Sequence, residues 1–232
     1  ADFDRFATDI LAAAHQGKRF LFRSAASLLT SLANLGPQPI AAEEMVQYVR
    51  GSKPGAVVVG SHVKKTTQQL DHLLQEANIV GVEVDVSHLL EESPGDRTTL
   101  LETVLAQIDR IHTSGKTPVI YTSRQELTFA DTPTRLQFGT EVSRLLMDIV
   151  QGLPKTIGFL ISKGGITSND VLSTGLALQT ARLLGQILPG CSVVRTPAEH
   201  PQFPDLPVVL FPGNVGDAEG LATVYRRFCR SH

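Results

Sequence analysis

The chain has 232 residues, of which 42% are hydrophobic and 19% are charged, with 21 Lys plus Arg against 23 Asp plus Glu. A net charge of -2, with no basic run longer than a pair, excludes the strong field that attracts nucleic acid or an anionic membrane surface, so any bound anion must be held locally. Two cysteines without metal-type spacing, an acidic start and the lack of a long apolar run favour a cytoplasmic protein without a disulfide framework, a zinc site or a membrane span.

The first part of the chain has helical periodicity on both sides of a short apolar run. Phe3, Phe6 and Ile10 share one helical stripe, residues 19–23 read as a strand, and a second helix follows around Leu28. This order predicts an α-β-α unit. Residues 36–39 then break the chain, and we expect a connector with a short helix up to residue 55.

The middle of the chain alternates apolar strands with helical stripes. Strands are predicted at residues 56–59, 80–86, 118–121 and 157–161, with helices around residues 64–77, 101–111 and 138–149 between them. This β-loop-α order predicts largely parallel strands. We therefore expect an α/β fold with a mostly parallel or mixed sheet and helices on both faces, a Rossmann-like three-layer arrangement with its ligand cleft at the carboxyl ends of the strands.

The last third of the chain has a less regular pattern. Residues 171–188 fit either one long helix or a short helix followed by a strand, and periodicity leaves both open. Strands are predicted at residues 191–194 and 208–211, a proline-rich surface excursion at residues 197–207 between them, and a closing helix at residues 218–228.

Three of the predicted strands end in glycine and small polar residues. We call these segments the first loop (residues 60–62), the second loop (residues 162–170) and the third loop (residues 212–217). In the second loop, Gly164 and Gly165 would let a phosphate approach the backbone, and Thr167 or Ser168 could cap the following helix with Asp170 completing a capping box. A plain strand-to-helix turn explains the same residues. Neither a P-loop nor a GxGxxG motif is present in the sequence.

Four further residues have a functional and an ordinary explanation. Lys64 and Lys65 stand where a helix begins, which suits a bound anion, or they are simply solvated. Asp85 follows a strand and could hold a ribose or a metal-bound water, or it is an exposed carboxylate on an edge strand. His62 is a candidate base, although a loop histidine without a partner carboxylate in sequence is more often structural.

The combination of motifs resembles the nucleotide-binding half of the four-carbon acid sugar kinases, a family long described as a domain of unknown function. The residues that carry the resemblance are Gly60-Ser61 followed by Thr66 and Gln69, the run 163–168, the turn 188–190 and the run 211–217. The family phosphorylates tetronate-type sugar acids such as threonate and erythronate. The resemblance implies ATP and Mg²⁺ as cofactors and a strand at residues 177–188.

In this family an amino-terminal half binds the sugar acid and a carboxyl-terminal half binds ATP. The resemblance implies that residues 1–232 are a single nucleotide-binding domain, the second half of a longer two-domain kinase, and the absence of an initial methionine agrees with a fragment. The aspartate-rich motif of the first half is not found, so the catalytic base is expected outside this chain. The implied partners are a small sugar acid and the amino-terminal domain, with a homodimer left open and no nucleic acid or membrane.

The resemblance also implies roles for individual residues. Ser61 would lie near the nucleotide, Gly164 and Gly165 around its phosphates, and Gly213 to Gly216 on the opposite side of the same cleft. Where the family usually has a lysine before the last glycines, this chain has Phe211-Pro212, so Lys163 or Mg²⁺ would have to supply the positive charge. The full set of candidate cofactor-binding residues is Ser61, Lys163, Gly164, Gly165, Thr167, Gly213, Asn214 and Gly216, with no protein ligand assigned to the metal.

Two other functions remain open. A non-catalytic module with a kinase-like fold would still bind a nucleotide or another small molecule. A dehydrogenase-like oxidoreductase would use an α/β sheet as well, but the missing GxGxxG motif argues against it.

Overall fold

The structure is a computed structural model that describes residues 2–90, 94–124 and 127–229. The chain divides into two compact units, Ala1–Pro39 and Ile40–His232. None of the described helices combines the length and the apolar composition needed to cross a membrane.

The first unit is a pair of helices. Helix α1 (Asp2–His15) and helix α2 (Ala26–Leu32) pack through Ala7, Ile10 and Leu28, which are buried. The strand predicted at residues 19–23 is wrong, because this segment is irregular and the described part of the unit contains no other strand to pair with it. Phe20 and Phe22 stack on each other with ring centroids 5.8 Å apart and stay largely exposed.

The second unit contains a seven-stranded mixed sheet, which confirms the predicted fold class. In chain order the strands are β1 (Ala56–Val59), β2 (Ile79–Val84), β3 (Thr117–Thr122), β4 (Leu160–Lys163), β5 (Arg182–Leu188), β6 (Cys191–Arg195) and β7 (Pro207–Phe211). Their spatial order is β2-β3-β1-β4-β7-β6-β5. The strands β2, β3, β1, β4 and β7 are parallel to their neighbours in this spatial order, whereas β6 pairs antiparallel with both β7 and β5.

Helices cover both faces of the sheet. They are α3 (Lys64–Leu73), α4 (Pro94–Thr113), α5 (Thr132–Gln151), α6 (Gly165–Asp170) and α7 (Gly220–Phe228), with short 3₁₀ segments at Ala42–Tyr48, Arg50–Ser52 and Val86–Leu90 and a π-helical turn at Val171–Gly175. One buried cluster includes residues of α4 and α5, and the other includes residues of α3 and α7. Strand β1 contributes Ala56 and Val58 to the first cluster and Val57 and Val59 to the second, which explains its uninterrupted apolar sequence.

The two uncertain segments of the last third take definite structures. The strand implied for residues 177–188 is confirmed from Arg182 onward, whereas residues 177–181 lie outside it. The prediction that residues 197–207 form only a surface excursion is wrong for Phe203 and Leu206, which are buried. Hydrogen bonds to Thr196, the residue directly after β6, hold this segment against the sheet. The hydroxyl of Thr196 donates to the Phe203 carbonyl and accepts the N–H of Leu206 at 2.8 Å.

Candidate functional site

The three glycine-marked loops meet at one edge of the sheet. They follow β1, β4 and β7, which are adjacent parallel strands, so their carboxyl ends lie side by side. Backbone hydrogen bonds connect the first loop to the second, from Gly60 N–H to the Lys163 carbonyl at 3.2 Å, and the second loop to the last residue of β7, directly before the third loop, from Gly164 N–H to the Phe211 carbonyl at 2.8 Å. Segments that are far apart in the sequence therefore lie side by side at this edge of the sheet.

The closeness of the loops requires glycine at two positions. A Cβ atom on Gly60 would stand 2.2 Å from Thr167 Oγ1. Gly164 has a φ of +126°, and a Cβ there would stand 2.9 Å from the same hydroxyl and 3.2 Å from Ser61 Cβ. Gly165 is different, because a Cβ on it would meet no atom within 4 Å. The first two glycines thus serve packing, and Gly165 faces open space beside the loops.

Helix α3 holds the third loop in place. The amide nitrogen of Gln69 donates to the carbonyls of Val215 at 3.0 Å and Asp217 at 2.6 Å. Thr66 Oγ1 lies 3.2 Å from the Gly213 carbonyl and 3.0 Å from Ser61 Oγ. The two residues that the family resemblance marked on this helix therefore position the loops.

Helix α6, within the second loop, begins at Gly165, before the Thr167 and Ser168 positions that were predicted to cap it. Gly164 is the N-cap of α6, so Thr167 and Ser168 lie inside the helix, and the predicted capping box of Thr167 with Asp170 is wrong. The paired glycines allow the backbone to turn directly into the helix after β4. Ser168 Oγ instead donates to the Ser162 carbonyl at 3.0 Å, and Asp170 accepts a hydrogen bond from Ser143 on α5.

Lys163 is a fully buried cation beneath the third loop. Its ammonium donates to the Pro212 carbonyl at 2.7 Å and lies 4.0 Å from the centroid of the Phe211 ring. Burial lowers the pKa of Lys163 to about 8; the neighbouring Cys191 opposes this change and Lys65 adds to it. Lys163 thus brings its charge to the segment where Phe211 and Pro212 replace the lysine of the family pattern.

Two of the remaining predicted residues lie on the third loop. The Asn214 carbonyl accepts a hydrogen bond from Lys65 Nζ at 3.2 Å, so Lys65 contacts protein, whereas Lys64 is exposed. Gly216 has a φ of +77°, and a Cβ on it would stand 3.2 Å from the Gln69 amide nitrogen. The loop therefore requires glycine at this position for its close approach to α3.

A cavity of about 600 Å³ opens beside the loops. Gly60 and His62 of the first loop and Thr167 and Asp170 of the second border it, so Thr167 is the predicted site residue that lines it among those the structure describes. The opposite wall is one face of α5. Apolar side chains supply much of the lining, namely those of Leu127, Phe129, Phe138, Val142, Leu146 and Met147.

Arg124 is the cavity residue that sequence reasoning missed. It follows the end of β3 and donates from Nη1 to the Ser61 carbonyl. Its Nε and Nη2 atoms are buried and have no hydrogen-bond partner among the described residues. Burial lowers the pKa of this guanidinium. The available signal was its position at a strand end, but β3 carries no glycine motif there to mark it.

His62 and Asp85 have different environments. His62 Nε2 lies 2.9 Å from Thr122 Oγ1 in the cavity wall, and burial together with the charge of Arg124 lowers the pKa of His62. Asp85 is exposed and accepts both the N–H and the hydroxyl of Ser87, at 2.9 and 2.7 Å, which lowers the pKa of Asp85. Asp85 is thus the exposed carboxylate of its ordinary explanation, although it lies just after the edge strand β2, and its contacts with Ser87 are those of a local turn.

The acidic groups suit a metal that arrives with a ligand better than a metal held by protein alone. The described residues contain no group of three or more His, Cys, Asp or Glu side chains that could hold an ion. Among the described lining residues, Asp170 is the one that carries a carboxylate. Mg²⁺ commonly binds through one or two carboxylates together with substrate phosphates and water, and this donor set is compatible with that arrangement.

An open, mostly parallel sheet with ligand-accessible loops at its strand ends defines an α/β domain of the nucleotide-binding type. The model of the family called nucleotide-binding C-terminal domain matches residues 56–221, and the chain belongs to this family. The match confirms the resemblance to the nucleotide-binding half of the four-carbon acid sugar kinases.

Solved structures share the fold. A Bordetella bronchiseptica protein of the domain-of-unknown-function family DUF1537, crystallised with citrate as a domain-swapped dimer, has a TM-score of 0.59 at 19% identity over 90% of this chain and 47% of its own. A Haemophilus influenzae member of DUF1537 has a TM-score of 0.55 at 18% identity, over 88% of this chain and 45% of its own. The chain therefore spans about half the length of these proteins. No curated protein sequence matches it.

Proposed function

We propose that this chain is the ATP-binding domain of a sugar-acid kinase, which binds ATP with Mg²⁺ and presents the terminal phosphoryl group to a four-carbon acid sugar such as threonate or erythronate. The observation that carries the proposal is the meeting of the first, second and third loops at the ends of β1, β4 and β7, beside a cavity. Ligands of open α/β sheets bind at this edge. Membership of a nucleotide-binding family supports the same ligand class.

Phosphoryl transfer needs aligned reactants and neutralised phosphate oxygens more than it needs covalent help from the protein. In the proposal, backbone N–H groups around Gly165 and the cations near the loops bind the phosphates, and Asp170 is available to a magnesium ion on those phosphates. Mg²⁺ would supply charge neutralisation when bound. The apolar wall of the cavity would receive the nucleotide base, and about 600 Å³ lies within the usual range for small-molecule sites.

The partners in the proposal are a sugar acid, an amino-terminal domain and a second copy of the chain. Because the chain spans about half of its structural relatives, the acceptor sugar acid and the catalytic base would belong to a second domain. A homodimer is part of the proposal, supported by the domain-swapped dimer of the Bordetella protein. A cytoplasmic setting, expected from composition, completes it.

Calorimetric titration of the chain with MgATP tests the ligand. We expect saturable binding of ATP and ADP, and we expect Gly165→Val to weaken it because the new side chain would extend into the space beside the loops without a clash in the fold. Gly36→Val is the matched control, since a Cβ on Gly36 also meets no atom within 4 Å. Absence of binding at millimolar nucleotide and magnesium would refute the proposal, and binding of NAD(H) alone would favour an oxidoreductase.

A second experiment separates a kinase domain from a non-catalytic module. The chain is mixed with the sugar-acid-binding half of a four-carbon acid sugar kinase, with ATP and a sugar acid, and phosphorylated product is measured. Product that depends on this chain supports the kinase. Retained ATP binding without product under these conditions supports the module.

A further inference from the structure

Two side-chain nitrogens of Arg124, Nε and Nη2, are buried without a protein acceptor in the described part of the chain. Leaving a charged donor buried and unpaired is energetically unfavourable. Arg124 is also one of the residues that line the cavity, next to His62 and Gly60. Such an arrangement is typical of a donor that is kept for a ligand.

The guanidinium is held in one position from two sides. Nη1 donates to the Ser61 carbonyl in the first loop, and the guanidinium carbon lies 5.9 Å from the centroid of the Tyr121 ring. A guanidinium fixed at one nitrogen still presents a planar pair of donors, and this geometry matches two oxygens of one phosphate. The Nη1 bond and the ring contact therefore restrict the guanidinium, and small movements around it are needed before a phosphate can reach Nε and Nη2.

The other cations near the loops either donate to protein carbonyls already or are exposed to solvent. Lys163 donates to the carbonyls of the third loop, Lys65 donates to Asn214, and Arg135, although it lines the cavity, is exposed. The carboxylate of the cavity, Asp170, accepts from Ser143. Arg124 differs from them because Nη1 is bonded to Ser61, whereas the buried Nε and Nη2 have no acceptor among the described residues.

We infer that Arg124 binds the phosphate groups of the ligand through Nε and Nη2. This inference rests on the proposed function for the identity of the ligand as a nucleotide. Binding of polyphosphate at this site is expected whether or not the ligand carries a nucleotide base. The ligand class is then a polyphosphate with a flat apolar group that contacts the α5 wall.

The test compares Arg124→Met, Arg124→Lys and the control Arg144→Met, an exposed arginine on α5 that pairs with Glu141. Titrations use MgATP, adenosine and tripolyphosphate. We expect Arg124→Met to weaken ATP and tripolyphosphate binding on the order of 10- to 100-fold and to leave adenosine binding unchanged. Arg124→Lys keeps the charge without the fork, so an intermediate affinity for ATP is expected. The control should match the wild type.

Thermal unfolding separates a ligand contact from a structural role. Removing a buried, unpaired cation should leave the Tm of Arg124→Met near or above that of the wild type. A lower Tm with unchanged ATP affinity, or an equal loss for ATP and adenosine, overturns the inference. If the wild type binds tripolyphosphate through Arg124 but does not bind ATP, the inference stands and the proposed function fails. If the wild type binds ATP and Arg124→Met binds it equally well, the proposed function stands and the inference fails.

Discussion

Gly60→Ala tests whether the first and second loops are in contact as the structure describes. The added Cβ would stand 2.2 Å from Thr167 Oγ1 and 3.2 Å from Leu146 Cδ1. Non-bonded carbon atoms prefer about 3.5–4.0 Å, so more than 1 Å of movement is needed to relieve the overlap with the hydroxyl. Thr167 is only 9% exposed and sits on a short helix, which limits that movement.

The expected cost follows from two opposing effects. Overpacking of a well-packed site costs typically about 1–3 kcal/mol. Replacing a glycine that has no positive φ by alanine gains about 0.4–1 kcal/mol through the unfolded chain. We therefore expect Gly60→Ala to lower the free energy of unfolding by about 1–2 kcal/mol, which corresponds to a decrease in Tm of several degrees for a domain of this size.

Denaturant unfolding of a double-mutant cycle measures the effect. In a Thr167→Ala background, the hydroxyl and methyl group that the new Cβ would meet are gone, so Gly60→Ala should cost little or increase stability. Gly139→Ala is the control, because it lies in α5 with no atom within 4 Å of the added Cβ and should increase stability by up to about 1 kcal/mol. An equal cost of Gly60→Ala with and without the Thr167 side chain would refute the contact.

Three further substitutions test other parts of the molecule. Burial lowers the pKa of Lys163 from 10.5 to about 8, so between these pH values the unfolded chain binds one more proton than the folded chain. The free energy of unfolding of the wild type, measured in urea relative to that of Lys163→Met, should therefore rise by roughly 1.4 kcal/mol per pH unit in this range and be constant below pH 8. Phe203→Ala should cost about 3–5 kcal/mol and Phe20→Ala under about 1 kcal/mol in the same assay, since only Phe203 is buried; equal costs would contradict the packing of the proline-rich segment. Gln69→Met should cost about 1–3 kcal/mol and weaken ATP binding by releasing the third loop, whereas exposed Gln68→Met should do neither, and unchanged values for Gln69→Met would show that α3 does not hold the loop.

Much of the second unit is readable from its sequence. Strand β1 was predicted with its observed bounds because a parallel strand between two helix layers must be apolar at every position, and the sequence shows this at residues 56–59. Residues 80–84 alternate between more buried and exposed positions because this strand lies at the edge of the sheet, and their period of two is equally visible in the sequence. The glycine loops were found because only glycine permits the backbone approach at Gly60 and Gly164.

Other features depend on contacts between distant segments. Residues 19–23 have the composition of a strand, but a strand requires a partner, and the described residues of the first unit contain none. Phe203 stands among prolines and polar residues, and its burial follows from the tie to Thr196 on the sheet side. Local composition carries no information about such partners.

The sequence by itself therefore determined the class of fold, most strand positions and three places where a ligand could approach the backbone, since these depend on local periodicity and on the conformational range of glycine. The tertiary structure alone decided that β1, β4 and β7 are neighbours, that Lys163 is bonded to the third loop, and that Arg124 lies beside Ser61 with two nitrogens unpaired among the residues that the structure describes. Strand order and side-chain desolvation arise from contacts between residues far apart in the chain. For that physical reason, the sequence alone did not identify Arg124 as a candidate binding residue.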